Sequence, residues 1–370
     1  MNYDCISIDT SIFVKYRLLL DQGMLGQLYQ FRGAPDTFIL SDIVVREVLA
    51  KLTEAAGKSK SDITSALQEG VRTLGLKKHN VHSFMIDNIP TEDDFEIAQL
   101  RMGEFLESSS TTIVETSTEV GILKNIIDAY FSNSPPFGNS KKKNEFPDAI
   151  ALHSIEAWAK KSNKRIICVS ADNDWVKYAE TSKYLFVTPD LSEALSYFQP
   201  KNDATDVVEN LKKMLPLGTP VQLYSEIEER LRTRLSELKI KAEFSEIPYL
   251  YQIDVYKVSV ELKSFSFPHD SIGRPNIFLI AQGVLGFSLH MTLKVEASLS
   301  CSFSAFAYDG ASDSHYPVTE TIAKTENVLF IDTMVTIDGR NGVLERLHLS
   351  DLRITEWPSS VLFGKLADFF

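Results

Sequence analysis

The sequence predicts an α/β N-terminal domain with a parallel sheet flanked by helices, then a helical connector, then a mostly antiparallel β domain. Three observations carry this reading. Over residues 1–198, short apolar or β-branched runs alternate with amphipathic stretches, the pattern of strands and the helices that cover them. Over residues 199–245, two amphipathic stretches flank Pro216-Leu217-Gly218-Thr219-Pro220. Over residues 246–370 the pattern has period two, and from 285 to 307 every odd position is apolar.

In the first domain the expected strands are 5–8, 37–40, 165–169 and 185–187. Each is short, apolar on both faces and followed by a polar turn, as buried parallel strands are. Helical periodicity follows them, in Ile43, Val44, Val48, Leu49 and Leu52, and it recurs in Ile150, Leu152, Ile155 and Trp158. In the connector, helices are expected over 206–215 and 226–241, the second opened by a capping box of Ser225 and Glu228. In the β domain the even positions from 288 to 304 are all polar, which predicts one long bent strand or two strands with one solvated face. A strand over 328–337 leads into hairpin turn chemistry at Asp338-Gly339-Arg340-Asn341-Gly342.

The 370 residues are 44% hydrophobic and 24% charged, which excludes wholesale disorder. No apolar run approaches the ~20 residues that span a bilayer, and the N-terminus lacks the pattern of a secretory signal. Cys5, Cys168 and Cys301 are few and unclustered, which fits a cytoplasmic location and excludes a Cys-rich zinc site. His79 and His82 stand three apart without a Cys or further His nearby, and read as surface histidines.

The net charge of −12 argues against a general nucleic-acid coat. It divides evenly, with 21 Lys+Arg against 27 Asp+Glu in residues 1–200, and 17 against 23 in the remainder. In the first half, however, five acidic residues sit where bound cations would offset them. Ligand sites in open α/β sheets lie beyond the carboxyl ends of the strands. Asp9 directly follows the first strand, and Asp172 and Asp174 follow the strand over 165–169. Glu47 lies in the early turns of the helix after 37–40, and Asp148 opens a helix after Pro147. Carboxylates packed together cannot all stay ionised without a cation; Mg²⁺ or Mn²⁺, which prefer oxygen ligands, resolve that conflict. Singly, each has a plain structural explanation: a helix cap for the aspartates, an i,i+4 pair with Lys51 for Glu47. Their joint order and strand phasing favour a shared site.

Ser7-Ile8-Asp9-Thr10-Ser11, the segment 42–49 with Glu47, Phe146-Pro147-Asp148-Ala149 and Val169-Ser170-Ala171-Asp172-Asn173-Asp174-Trp175 resemble the successive acidic motifs of PIN-domain ribonucleases. The resemblance covers residues 1–195 and is to the longer, bacterial-type members, because residues 53–145 must hold extra helices and a large loop. It implies metal-dependent hydrolysis of phosphodiesters in single-stranded nucleic acid, most often by endoribonucleolytic cleavage of RNA, in a toxin or defence setting among others. By the same resemblance Asp9, Glu47, Asp148 and Asp172 are the catalytic and metal-binding residues, with Asp174 and Ser11 (or Thr10) as accessories.

Lys141-Lys142-Lys143, just ahead of Asp148, is the candidate phosphate grip, and Phe137, Phe146 and Trp175 are candidates for stacking on unpaired bases, with core or loop packing the favoured reading for Trp175. Lys160-Lys161 and Lys164-Arg165 precede the next strand at its far end and read as surface. A haloacid-dehalogenase-type phosphatase needs an Asp where Ser11 stands; a receiver domain and a flap-type nuclease fit the acidic order less well. The other function class left open is a catalytically inactive PIN-like scaffold or protein-interaction module. The β domain's polar face, rich in Ser and Thr, is poor material for a phosphate groove and suggests a protein partner or homo-oligomer contact.

Overall fold

A computed structural model of the chain describes residues 3–118, 121–137, 145–200, 203–245, 247, 251–270, 273–283, 286–310, 314–325, 329–339, 347–355 and 357–365. By its internal contacts the chain divides into two units, Met1–Phe198 and Gln199–Phe370.

The first unit is built on five parallel strands, β1 (Cys5–Ile8), β2 (Phe38–Ser41), β3 (Thr112–Val114), β4 (Ile166–Val169) and β5 (Leu185–Thr188). Their order is β3-β2-β1-β4-β5. All of β1, β2 and β4 is buried, which is why these strands read as unbroken apolar runs. Strand β3 escapes the sequence pattern because it is three residues long and leaves Ile113 exposed. The chain moves outward from β1 through β2 to β3, then returns to β4 on the other side of β1. The order therefore reverses between β1 and β4, and that switch point opens a crevice at the carboxyl ends of both strands. Ile8 lies beside Val169 in the register, and the Asp9 N–H donates to the Val169 carbonyl at 2.9 Å, so the chain leaves both strands side by side.

Nine helices surround this sheet among the described residues: α1 (Thr10–Lys15), α2 (Gly23–Gly26), α3 (Asp42–Thr73), α4 (Lys78–Asn88), α5 (Asp94–Ser108), α6 (Ile122–Ser132), α7 (Phe146–Ser162), α8 (Asn173–Thr181) and α9 (Leu191–Ser196). The long stretch between Glu47 and Asp148 thus holds the outer turns of α3 together with α4, α5, β3 and α6. Val44, Val48 and Leu52 bury the first turns of α3. Ser41 caps this helix, its hydroxyl accepting from the Ile43 N–H at 3.2 Å. Ser41→Ala is expected to cost about 1 kcal/mol, read as a lower urea midpoint at unchanged m; an unmoved midpoint would remove the cap from the account.

The second unit begins with α10 (Asp203–Met214) and α11 (Val221–Ser236). The segment expected to be a connector is built into this unit's core. Val207, Val208, Leu211, Ile227, Leu231 and Leu235 pack in one cluster with Leu289, Leu293, Phe303 and Val335 of the strands. The expected capping box is corrected: α11 starts at Val221 behind Pro220, whose fixed φ suits a helix entrance, so Ser225 lies inside the helix. That helix also ends before Lys241, which opens a strand.

The strands are β6 (Lys241–Ser245), β7 (Tyr251–Ser266), β8 (Ile277–Gln282), β9 (Phe287–Asp309), β10 (Ser314–Lys324), β11 (Leu329–Gly339), β12 (His348–Ile354) and β13 (Ser360–Lys365). The period-two run forms one strand, β9, of 23 residues. Its first half pairs antiparallel with β8 and β11, its second half with β7 and β10. Strands β11 and β12 pair antiparallel as a hairpin requires; of the expected turn residues, Asp338 and Gly339 instead end β11, and 340–342 lie outside the described residues. A two-stranded parallel pair, β6 with β13, completes the unit. Among the described residues no helix is long and apolar enough to cross a membrane.

Candidate metal centre

The crevice between β1 and β4 gathers the acidic residues, and each arrives by a local rule. Asp9 is the first residue after β1 and stands at the head of α1 without using its side chain as a cap. It is 6% exposed, and its Oδ2 accepts from Ser11 Oγ at 2.5 Å and from Ser170 Oγ at 3.0 Å. Glu47, on α3, accepts through Oε2 from Thr10 Oγ1 at 2.6 Å. Its expected structural alternative, a pair with Lys51, does not form, because Lys51 turns to Glu54 at 3.7 Å. Asp148 is the third residue of α7, and its Oδ1 accepts from Trp175 Nε1 at 3.0 Å. Asp172 caps α8, its Oδ1 taking the Asp174 N–H at 2.8 Å, while its own N–H donates to Ser170 Oγ at 3.1 Å. Asp174 stands further out, paired with Lys177 at 3.0 Å.

One arrangement recurs in Asp9, Glu47, Asp148 and Asp172. Among the described residues, one oxygen of each carboxylate is held by a hydroxyl, indole or backbone donor, and the other oxygen takes no hydrogen bond. Asp42, buried like Asp9 and on α3 like Glu47, contrasts with this. Its Oδ1 accepts from both the N–H and hydroxyl of Thr116 and its Oδ2 pairs with Arg46, so both oxygens serve the scaffold.

Asp148 senses the other three carboxylates. The Asp148 pKa is pushed up to about 6, first by burial and then by the charges of Asp9, Glu47 and Asp172; the Trp175 N–H pulls the other way. An all-oxygen donor set under mutual repulsion suits a hard divalent cation, which relieves the repulsion and fills the free oxygens. The side chains are not closed around one point: among the described residues no group of three or more His, Cys, Asp or Glu forms a ready cage for an ion.

The remaining candidates divide. Lys141, Lys142 and Lys143 lie outside the described residues. Base stacking by Phe137 is corrected, because Phe137 is 1% exposed in the cluster of Ile122, Ile126 and Phe146; for Trp175 the favoured core packing holds, since it is fully buried with its N–H committed to Asp148. Lys164 and Arg165 are engaged at the far end of the sheet, Lys164 over the Trp158 ring and Arg165 over Phe186. His79 and His82 are exposed on α4. Sequence reasoning passed over Ser170 and the donor role of Trp175. The signal for Ser170 was present in the strand phasing: it follows β4 as Asp9 follows β1, and a parallel register sets the two side by side.

No curated protein and no solved structure matches the chain. Residues 6–175 match the PIN-domain family, the second unit is not recognised, and the N-terminal unit is therefore a PIN domain, a nuclease fold whose members are generally metal-dependent ribonucleases.

Proposed function

We propose that this chain is a Mg²⁺- or Mn²⁺-dependent endoribonuclease acting on single-stranded RNA, with Asp9, Glu47, Asp148 and Asp172 as its metal-holding carboxylates and Asp174 and Ser11 as accessories. The observation that carries the reading is the set of four carboxylates at the switch point, each with one oxygen fixed and one free. When bound, divalent ions supply an activated water and neutralise charge on the phosphate oxygens. The protein's part is orientation. Ser11 and Ser170 hold Asp9, Thr10 holds Glu47 and Trp175 holds Asp148, so one oxygen of each is fixed and the other is left for an ion. Asp148, half-buried and with its pKa raised, resists ionisation and gains from a cation.

Incubating the full chain with mixed single-stranded RNA and DNA, in Mg²⁺, Mn²⁺ or EDTA, tests the proposal. Cleavage of RNA in either metal and none in EDTA is expected. Absence of cleavage in every condition would favour a scaffold whose acidic crevice binds a partner.

A further inference from the structure

Beside the carboxylates, and distinct from them, a cavity of ≈ 540 Å³ opens between α3 and α5, lined by Arg46, Leu49, Ala50, Thr53, Glu54 and Phe95. It lies in the size range of small-molecule sites. Glu47, Ala50 and Glu54 are spaced three and four apart on α3, so the cavity continues the helix face that carries Glu47, one to two turns further on.

The far wall is built with care for an exposed aromatic ring. Phe95 is 49% exposed at the second position of α5, where nothing apolar covers it fully. The start of that helix is pinned by a reciprocal capping box of Asp93 and Glu96, and by Lys60, which reaches Asp94 Oδ1 at 2.9 Å and the Glu92 carbonyl at 2.6 Å. Gly57 makes room for this clamp, since a Cβ there would stand 2.6 Å from Asp94 Oδ2. At the near wall the Arg46 guanidinium, largely exposed, makes one long contact of 3.4 Å to Asp42 and has further donors to offer.

We propose that this groove is a nucleobase subsite, holding an unpaired base of the strand whose neighbouring phosphate lies at the carboxylates. A mostly apolar slot with an aromatic ring on one wall stacks a planar base, and Arg46 supplies edge donors and a positive charge toward the adjoining phosphate; the Thr53 hydroxyl is spent on the Leu49 carbonyl at 2.8 Å, and Glu54 at the far rim pairs with Lys51 at 3.7 Å. On α3 the lining residues Ala50 and Glu54 follow Glu47 by one and two turns, about 5 and 10 Å along the axis, so the slot adjoins the carboxylate end of the helix. The inference rests on the nuclease reading, and its test does not depend on cleavage.

The Phe95→Trp variant of the full chain is titrated with a single-stranded 12-nucleotide RNA, and with an abasic strand of the same length, in EDTA and in Mn²⁺. The emission that Phe95→Trp adds over wild type, whose own Trp158, Trp175 and Trp357 are measured in parallel and subtracted, is expected to be quenched by the base-bearing strand and not by the abasic one. Phe95→Ala is expected to weaken binding of the base-bearing strand about 5- to 100-fold while leaving the abasic strand unaffected; circular dichroism checks its fold, and the ring's exposure makes folding secure. Quenching without any cleavage would sink the nuclease reading and keep the subsite. Equal quenching by both strands, or unchanged affinity in Phe95→Ala, would overturn the subsite whatever the cleavage assay shows. Quenching by neither strand, with cleavage intact, would overturn it too and return the groove to a protein partner.

Discussion

Asp148→Asn is expected to abolish Mn²⁺-dependent cleavage, by on the order of 10³-fold or more, while raising the melting temperature of the metal-free protein at pH 7–8. Both effects come from one carboxylate. Its pKa is pushed up to about 6, so at neutral pH the folded protein carries a charge that burial and three neighbouring carboxylates oppose. The folded state binds this proton more tightly than the unfolded chain does. Stability from this group is therefore gained as pH falls through about 6, is fully present below the ordinary Asp range, and is lost as pH rises above 6. The amide removes the charge and keeps an oxygen for the Trp175 N–H, so the variant should show little of that pH dependence between 4 and 7. Wild type should instead be stabilised at pH 7.5 by added Mn²⁺, and less so at pH 5.5, where proton and cation compete. Differential scanning fluorimetry across pH, with EDTA or Mn²⁺, reads all of this. A variant that cleaves at the wild-type rate, or melts below wild type without metal, would take Asp148 out of the centre.

Trp175 carries the second large effect, on stability as well as on the site. Its indole is fully buried and its N–H donates to Asp148 at 3.0 Å. Trp175→Ala should cost about 3–5 kcal/mol through lost burial and the cavity left behind. Trp175→Phe separates packing from polarity: most of the ring volume stays, and the donor goes. Losing a donor to a buried carboxylate should cost about 1–3 kcal/mol and push the Asp148 pKa higher still. Mn²⁺ affinity measured by calorimetry at pH 7 should then fall about 10- to 100-fold, as when other outer partners of metal ligands are removed. If Phe at this position binds Mn²⁺ as wild type does, the indole is packing alone.

The fold was largely legible because its signals are local. Cys5–Ile8 and Ile166–Val169 are apolar on both faces and end in acidic turns, and the strict alternation of β9 shows in the letters themselves. What escaped depended on partners far along the chain. Residues 199–245 read as a connector because amphipathic helices announce an apolar face without saying what covers it; here the strands of the second unit do. Phe137 read as a candidate for stacking because an aromatic near a site looks alike in sequence whether buried or open. Strand β3 was too short to stand out from its loops.

The acidic site divides along the same line. The sequence by itself determined where these carboxylates stand in the chain, at strand ends and helix starts set by spacing of a few residues, and it holds Asp172 locally through the Asp174 N–H and Asp9 in part through Ser11. Only the tertiary structure decided the other donors to Asp9, Glu47 and Asp148. Ser170 reaches Asp9 across 161 residues, Thr10 reaches Glu47 across 37, and Trp175 reaches Asp148 across 27. Those bonds exist because β1 and β4 pair in register and because α7 and α8 pack together. They fix which oxygen of each carboxylate is spent and which is left for a ligand. Local spacing can place a charge at the edge of a sheet, but the direction it faces is set by donors that only the folded chain brings within 3 Å.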